Sequence, residues 1–196
     1  MKIASLDRRV LVHGEAEASE RRLSSLRDEP CVVLLGEPGL GKSTALRHEA
    51  AAEGGEVVTC REAMSGVPLP APDTVYLDAL DEYRTGENGK DKLLQLANTL
   101  SASKHHRWRL TCRAEDWRDA ADLGAMRRAA NNSSIVVARL LPLDESEAEA
   151  VLAALGAVDP RAFVIEARTR GAAAFLESPL SLRLLHSAVA ADGTWP

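Results

Sequence analysis

The sequence contains few aromatic residues and few cysteines. Of its 196 residues only 4% are Phe, Trp or Tyr, so the core must consist mainly of Leu, Val, Ile and Ala. The three cysteines, Cys31, Cys60 and Cys112, all lie in predicted strands, and their spacing fits no metal-binding motif. An odd number of cysteines argues against a disulfide framework and indicates buried thiols in a reducing compartment.

The sequence also lacks a membrane-length apolar run, a secretory signal and an excess of positive charge. Its N-terminus, MKIASLDRRV, has no apolar segment of the kind found in signal peptides, and no segment approaches the length of a membrane span. The net charge of -5 argues against a nucleic-acid-binding surface. We therefore predict a cytoplasmic protein with no membrane association and no direct nucleic-acid partner.

One glycine-rich segment, GEPGLGKST, follows directly after the apolar run CVVLL and precedes a predicted helix. Glycines let backbone N–H groups turn inward around an anion, and the N-terminus of the helix adds positive potential at the same place. Lys42 would reach the β- and γ-phosphates of a nucleotide, and the Ser43 hydroxyl would ligate Mg²⁺. The residues predicted to bind the cofactor here are Gly36, Glu37, Pro38, Gly39, Gly41, Lys42, Ser43 and Thr44.

Strands and helices alternate along the chain as far as Leu143. Apolar patterns predict strands over 31–35, 56–60, 74–80, 107–113 and 135–143, and helices over 41–53, 91–103 and 115–130. Such alternation predicts an α/β fold with a parallel sheet covered on both faces. With the glycine-rich segment after its first strand, we expect a P-loop NTPase domain with a five-stranded, mostly parallel sheet. In front of this sheet, residues 15–27 are predicted to form a charged helix with Leu23 and Leu26 on its apolar side.

Three helices without a strand are predicted after Leu143. Asp144, the pair Asp159-Pro160 and the pair Ser178-Pro179 each have the form of a helix start. We therefore divide the chain into a P-loop NTPase domain, 1–143, with a lead-in segment over 1–28, and a small helical lid subdomain, 144–196. We expect that this subdomain is incomplete.

Acidic residues follow the third predicted strand, in YLDALDEY. Because ligands bind at the carboxyl ends of parallel strands, Asp78 is predicted to lie beside the phosphate loop and hold Mg²⁺ with Ser43. Asp81 or Glu82 would orient or deprotonate an attacking water. The alternative is a solvated acidic turn after a strand.

A single arginine, Arg113, ends the fourth predicted strand. A guanidinium at this edge of the sheet can sense or neutralise the γ-phosphate. The alternative is a surface arginine paired with Glu115 or Asp116. The other arginines of this region, Arg107, Arg109 and Arg118, are expected to be solvated or ion-paired.

Four segments, GEPGLGKST, YLDALDE, LTCRAEDW and ESPLSLRLL, have the order and character of a NACHT-type STAND NTPase. The run from Asp78 to Glu82 matches the family's acidic motif position by position, and Arg113 matches its sensor arginine. Pro179 matches a proline that lies near the nucleotide in the helical subdomain. Gly14 and Glu15 resemble a Gly-Arg-Glu in the lead-in segment, although the arginine is absent. The resemblance covers about residues 10–190.

The resemblance implies a sheet with strand order 5-1-4-3-2 under a helical lid, and binding of ATP or ADP with Mg²⁺. It also implies slow ATP hydrolysis, with Lys42, Asp81, Glu82 and Arg113 as catalytic residues and Pro179 at the nucleotide. Relatives use the nucleotide state as a signalling switch, many in bacterial defence or regulation. Nucleotide-dependent oligomerisation within a longer parent protein is a further implication.

Other classes of protein contain the same loop. A small P-loop kinase that phosphorylates a metabolite is one alternative, since the predicted lid has four arginines, Arg161, Arg168, Arg170 and Arg183. A nucleotide-binding scaffold without turnover is another. A GTPase is disfavoured because no Asn-Lys-x-Asp motif is present, and an AAA+ motor would have a polar Asn or Thr in place of Arg113. The acidic motif from Asp78 to Glu82 favours a nucleotide-dependent switch over these alternatives.

Overall fold

The computed structural model describes residues 6–13, 18–66, 68–70, 73–86, 88–103, 107–131, 133–192 and 195. Gly14 and Glu15, which resemble the family's lead-in motif, lie outside these residues. Within the described part, no helix is long and apolar enough to cross a membrane.

Seven strands form one mixed sheet: β1 (Arg9–His13), β2 (Ala18–Arg22), β3 (Cys31–Gly36), β4 (Val57–Thr59), β5 (Thr74–Asp78), β6 (Arg107–Arg113) and β7 (Ile135–Leu140). Their order across the sheet is β2-β1-β7-β3-β6-β5-β4. The strands from β3 to β7 are parallel, and counted by themselves they have the predicted order 5-1-4-3-2. This order, with the glycine loop after its first parallel strand, defines the α/β fold of a P-loop NTPase.

The sheet is larger than predicted because an antiparallel hairpin, β1 and β2, extends it beside β7. The predicted charged helix over 15–27 is therefore wrong in the part that the structure describes. Residues 18–22 form the exposed edge strand β2, and Leu23–Leu26 form a 3-10 helix in which Leu23 and Leu26 are buried as expected. Charged residues occur on an exposed edge strand as well as on a helix surface, so the local sequence pattern could not distinguish a strand from a helix here.

Eight α-helices complete the described part of the chain: α1 (Lys42–Ala52), α2 (Cys60–Ala63), α3 (Leu80–Arg84), α4 (Gly89–Ala102), α5 (Asp119–Met126), α6 (Glu145–Ala154), α7 (Pro160–Thr169) and α8 (Pro179–Asp192). A second 3-10 helix, Ala173–Glu177, precedes α8. Three strands end earlier than predicted. Thr59 ends β4 because it caps α2 with Glu62, and β5 ends at Asp78 because Ala79 has a left-handed backbone. The strand predicted over 135–143, β7, ends at Leu140.

Both faces of the parallel part of the sheet are buried, as the alternation of strands and helices predicted. On β3, Val33 and Leu35 belong to the core on one face, whereas Val32 and Leu34 belong to the core on the other. A third core lies among the helices after Leu143, where Leu152, Val164, Leu182 and other apolar residues pack together. The division into two domains at residue 143 remains a prediction.

The three cysteines are buried and form no disulfide. Burial raises the pKa of Cys112 to about 12, so its thiol stays protonated at neutral pH and is a poor nucleophile. Trp108 and Trp117 are also buried.

The expectation for Arg109 is wrong, because this arginine is buried and forms no ion pair with any residue in the described part of the chain. It is buried and donates to the carbonyls of Leu26, Arg27 and Pro30, at the start of β3. There it satisfies the carbonyls that end the first 3-10 helix.

Candidate nucleotide-binding site

The glycine loop joins β3 to α1 at the carboxyl edge of the parallel strands, as predicted. Gly39 and Gly41 have φ angles of +81° and +91°, which side chains rarely adopt. A Cβ atom on Gly36 would lie 3.2 Å from Leu140 Cβ, so bulk is excluded there too. A loop of this shape, followed by a helix N-terminus, can surround an anion with backbone N–H groups.

The Lys42 side chain lies along the loop. Its Nζ donates to the carbonyls of Gly36, at 2.7 Å, and Glu37, at 3.1 Å. Burial lowers the pKa of Lys42, the Asp81 carboxylate opposes that change, and Arg113 adds to it. The ammonium group is therefore in electrostatic reach of two other predicted site residues.

Asp78 lies at the end of β5 and is 6% exposed. Its Oδ1 accepts from Thr111 Oγ1, at 2.5 Å, and from the backbone N–H of Ala79, at 3.0 Å. No group in the described part of the chain donates to Oδ2. A carboxylate oxygen here and the Ser43 hydroxyl, on the first turn of α1, are hard donors of the kind that Mg²⁺ prefers. The donor chemistry of these two residues therefore suits Mg²⁺.

Arg113 and Asp81 form an ion pair that the sequence analysis did not foresee. Arg113 Nε lies 2.9 Å from Asp81 Oδ2, and the backbone N–H of Arg113 donates to Asp81 Oδ1 at 3.2 Å. The alternative partners, Glu115 and Asp116, are not used by the Arg113 side chain. Glu82, one residue further along α3, is exposed and makes no hydrogen bond to any described residue. The two acids after Asp78 thus have different surroundings.

A cavity of about 350 Å³ lies between the loop and the helices that follow Leu143. The predicted residues that line it are Gly39, Gly41, Lys42, Ser43, Thr44 and Pro179. Apolar walls come from Leu6 and from residues of α6 and α8, and two further cations, Arg8 and Arg183, line the same space. Part of the predicted set, including the proline of the helical segment, therefore lies around one cavity.

The predicted acids and the predicted sensor arginine line a neighbouring groove. Asp81, Glu82 and Arg113 border an open groove of about 790 Å³ beside α3 and α4. Gly36, Glu37 and Pro38 belong to the loop but are not among the residues that line the cavity or this groove.

Sequence analysis missed Arg8, Leu6 and Ser178 as neighbours of the loop. Arg8 stands in the charged run DRRV, where nothing distinguishes it from the adjacent Arg9. Ser178 was noticed only as a helix cap, but its Oγ also donates to the carbonyl of Gly39 at 3.2 Å. These contacts join segments far apart in the sequence, so no local pattern could have shown them.

The solved structures to which this chain is similar share little sequence with it. A Walker-type ATPase of Pyrococcus abyssi is 14% identical, with a TM-score of 0.48, over 87% of this chain and 65% of that one. The Orc1 protein of Aeropyrum pernix, solved in complex with DNA, is 15% identical, with a TM-score of 0.42, over 86% of this chain and 57% of that one. This chain therefore spans less than two thirds of either structure.

No protein-family model and no curated protein matches the sequence. The assignment of a P-loop NTPase fold rests on the order of the parallel strands and the geometry of the loop.

Proposed function

We propose that the chain binds ATP and ADP with Mg²⁺, hydrolyses ATP slowly and acts as a nucleotide-dependent switch of the NACHT-type STAND class. The observation that carries this proposal is the cavity of about 350 Å³, whose walls come from both the phosphate loop and the helices α6 and α8. A nucleotide in this cavity would contact both parts of the chain. Its binding or loss would then change how the two parts pack, which is what a switch requires.

In this proposal the loop and α1 hold the phosphates. Lys42, now bonded to loop carbonyls, would exchange them for β- and γ-phosphate oxygens, which are stronger partners for an ammonium group. Ser43 and Asp78 would hold Mg²⁺, which neutralises charge on the phosphate oxygens when it is bound.

The acids after Asp78 would divide their roles. Asp81 is engaged by Arg113, so it fixes the guanidinium at the edge of the sheet, where a γ-phosphate can be sensed. Glu82 is exposed and makes no hydrogen bond to any described residue, so we assign it the role of orienting or deprotonating the attacking water. The base and ribose would lie against Pro179 and the apolar wall, where a proline ring can pack flat.

A role in bacterial defence or regulation, and nucleotide-dependent oligomerisation within a longer parent protein, are supported by the resemblance of the four sequence motifs. The matched positions in this chain are Lys42, Asp78, Glu82, Arg113 and Pro179.

One observation favours the small-molecule kinase as a second candidate. The groove of about 790 Å³ borders Glu82 and Arg113 and has room for a phosphate acceptor. A screen of small acceptors for ATP-dependent phosphorylation separates the two candidates, because a switch transfers phosphate only to water. ATP binding without either reaction would indicate a scaffold.

The proposal is tested by titrating the protein with ATP in the presence and absence of Mg²⁺. Lys42→Ala should weaken ATP binding about tenfold or more, because it removes charge-assisted hydrogen bonds to phosphate. The control is Arg128→Ala, which removes an exposed cation that lines neither the cavity nor the groove and should leave the affinity unchanged. Asp78→Asn should remove the Mg²⁺ dependence. Unchanged ATP affinity in Lys42→Ala would contradict the proposal.

A further inference from the structure

One buried arginine, Arg8, contacts the phosphate loop and also lines the cavity beside it. It precedes β1 and is 4% exposed. Its Nη1 donates to the carbonyl of Leu40 in the loop, at 2.7 Å, and its Nη2 donates to the carbonyl of Leu141, also at 2.7 Å. Leu141 follows β7 and begins the connection to α6. One planar guanidinium thus joins the loop to the start of the helical segment.

The third neighbour of this guanidinium is Glu147 on α6. Arg8 Nε, which is buried and has no hydrogen bond, lies 3.7 Å from Glu147 Oε1. Glu147 is 2% exposed and also accepts from Arg9 and Arg22 of the hairpin. Burial lowers the pKa of Arg8 and Glu147 opposes that change, yet an arginine remains protonated at neutral pH. Arg8 and Glu147 therefore form a buried contact of opposite charges between the residue before β1 and α6.

The contact with Leu40 bears directly on the phosphate site. A trans peptide group is planar, with its C=O and N–H pointing in opposite directions. Holding the carbonyl of Leu40 therefore orients the N–H of Gly41, one of the loop amides available to a phosphate. The space is tight, since a Cβ atom on Gly41 would lie 3.4 Å from Arg8 Nη1.

The preceding loop carbonyl is held by the helical segment. Gly39 accepts from Ser178 Oγ at 3.2 Å and, over a longer 3.4 Å, from the N–H of Leu180 at the start of α8. Two consecutive loop carbonyls, those of Gly39 and Leu40, are thus bonded to groups outside the sheet edge. Arg8 also contacts Leu141 and Glu147, and Ser178 directly precedes α8. Both groups therefore link the loop to the helices after Leu143.

We propose that Arg8 is a positioning residue that presents the Gly41 amide to the nucleotide phosphates and couples the loop to α6 through Glu147. The inference rests on the proposed nucleotide site and adds the route by which that site communicates with the helical segment. If the loop shifts on nucleotide binding or release, the Arg8 guanidinium must follow the Leu40 carbonyl. Its contacts with Leu141 and Glu147 then change with it.

The test compares Arg8→Met with Arg109→Met in the full chain. Both arginines are buried and donate to backbone carbonyls, but Arg109 lies at the opposite end of the sheet from the loop. At a temperature where both variants are folded, Arg8→Met should bind ATP about tenfold more weakly and release a fluorescent ADP analogue faster. Arg109→Met should lose stability but keep its nucleotide affinity within about twofold.

A double-variant cycle separates coupling from two independent structural roles. Glu147→Gln alone should accelerate release of the ADP analogue, because it weakens the contact between Arg8 and α6. In the Arg8→Met background the same change should have no further effect on release. Arg8→Lys, which can hold only one of the two carbonyls, should give an intermediate affinity, and it replaces Arg8→Met if that variant does not fold.

The outcomes are distinguishable. If the wild-type protein binds no nucleotide, the proposed function fails and this inference fails with it. If the wild type binds ATP but Arg8→Met, or Arg8→Lys in its place, binds equally well, only the inference is overturned. Additive effects of the Arg8 and Glu147 variants on ADP release would overturn the coupling between the loop and α6.

Discussion

Ala79 is the residue with the least favourable backbone near the candidate site. Its φ angle of +60° places it in the left-handed region, between the end of β5 and the start of α3. A residue with a Cβ atom loses about 1 kcal/mol there. The turn is nonetheless held, because the N–H of Ala79 donates to both Asp78 Oδ1 and Thr111 Oγ1. This turn sets the direction in which Asp81 and Glu82 leave the strand.

We predict that Ala79→Gly stabilises the fold slightly. Relief of the left-handed strain is partly offset by the greater freedom of glycine in the unfolded chain, leaving a gain of up to about 0.5 kcal/mol. Urea unfolding would measure it. Ala51→Gly is the control, since this exposed alanine in α1 is helical and the change should cost about 1 kcal/mol. A loss of stability in Ala79→Gly would show that the turn is unstrained.

The two acids after Asp78 should respond differently to neutralisation. Glu82→Gln should keep ATP affinity but lower the hydrolysis rate about a hundredfold, because it removes the group assigned to the attacking water. Asp81→Asn removes the charge that pairs with Arg113 and should change both affinity and rate. Single-turnover hydrolysis and ATP titration measure the two quantities separately. Normal turnover by Glu82→Gln would show that the assignment of Glu82 is wrong.

At the level of helices and strands, a buried ion pair ties α3 to α5. Arg84 Nη1 lies 2.5 Å from Asp122 Oδ2, and Nη2 donates to Oδ1 at 3.3 Å. Both residues are buried, and the backbone N–H of Arg118 donates to the same carboxylate. The pair therefore holds the helix that bears Glu82 against the segment that follows Arg113.

We predict that Arg84→Met lowers the free energy of unfolding by about 3–5 kcal/mol, because it leaves the Asp122 carboxylate buried without its cation. Adding Asp122→Leu should recover much of the loss. The exposed pair of Arg170 and Glu166 on α7 is the control, and Arg170→Met should cost less than about 1 kcal/mol. Denaturant unfolding measures all three variants. A small loss in Arg84→Met alone would mean that water or other groups solvate Asp122.

Parallel strands could be predicted from the sequence more reliably than the hairpin. Strands such as β3 and β6 are buried on both faces, so their apolar runs and the glycine loop specify them locally. The hairpin strand β2 is mostly exposed, and its charged residues do not distinguish strand from helix. The pairing of Asp81 with Arg113 depends on elements brought side by side by the fold, so sequence spacing could not reveal it.

On the scale of the whole molecule, the helices after Leu143 have a core of their own yet contact the loop. Leu152, Val164 and Leu182 are fully buried among these helices. The two cores of the sheet consist of residues between Val10 and Leu140, so neither depends on the helical segment. We therefore expect the sheet to keep its own cores when the helices are removed.

We predict that the helices after Leu143 act as a lid over the nucleotide. Deleting residues 144–196 removes Pro179 and the apolar wall from α6 and α8, so the cavity beside the loop becomes open to water. It also removes the bond from Ser178 to the carbonyl of Gly39. Release of a fluorescent ADP analogue, followed by stopped flow, should become at least about tenfold faster, because closure of a lid commonly limits ligand release.

The truncated chain must first be shown to be folded, by circular dichroism and a cooperative thermal transition. Ser178→Ala in the full chain is the matched point variant, since it removes one contact between lid and loop and should accelerate release by a smaller factor. Equal release rates in the full chain and the folded truncation would mean that the helices only cover apolar surface. A bound structure with the nucleotide far from Pro179 would lead to the same conclusion, because the lid acts only if it contacts the ligand.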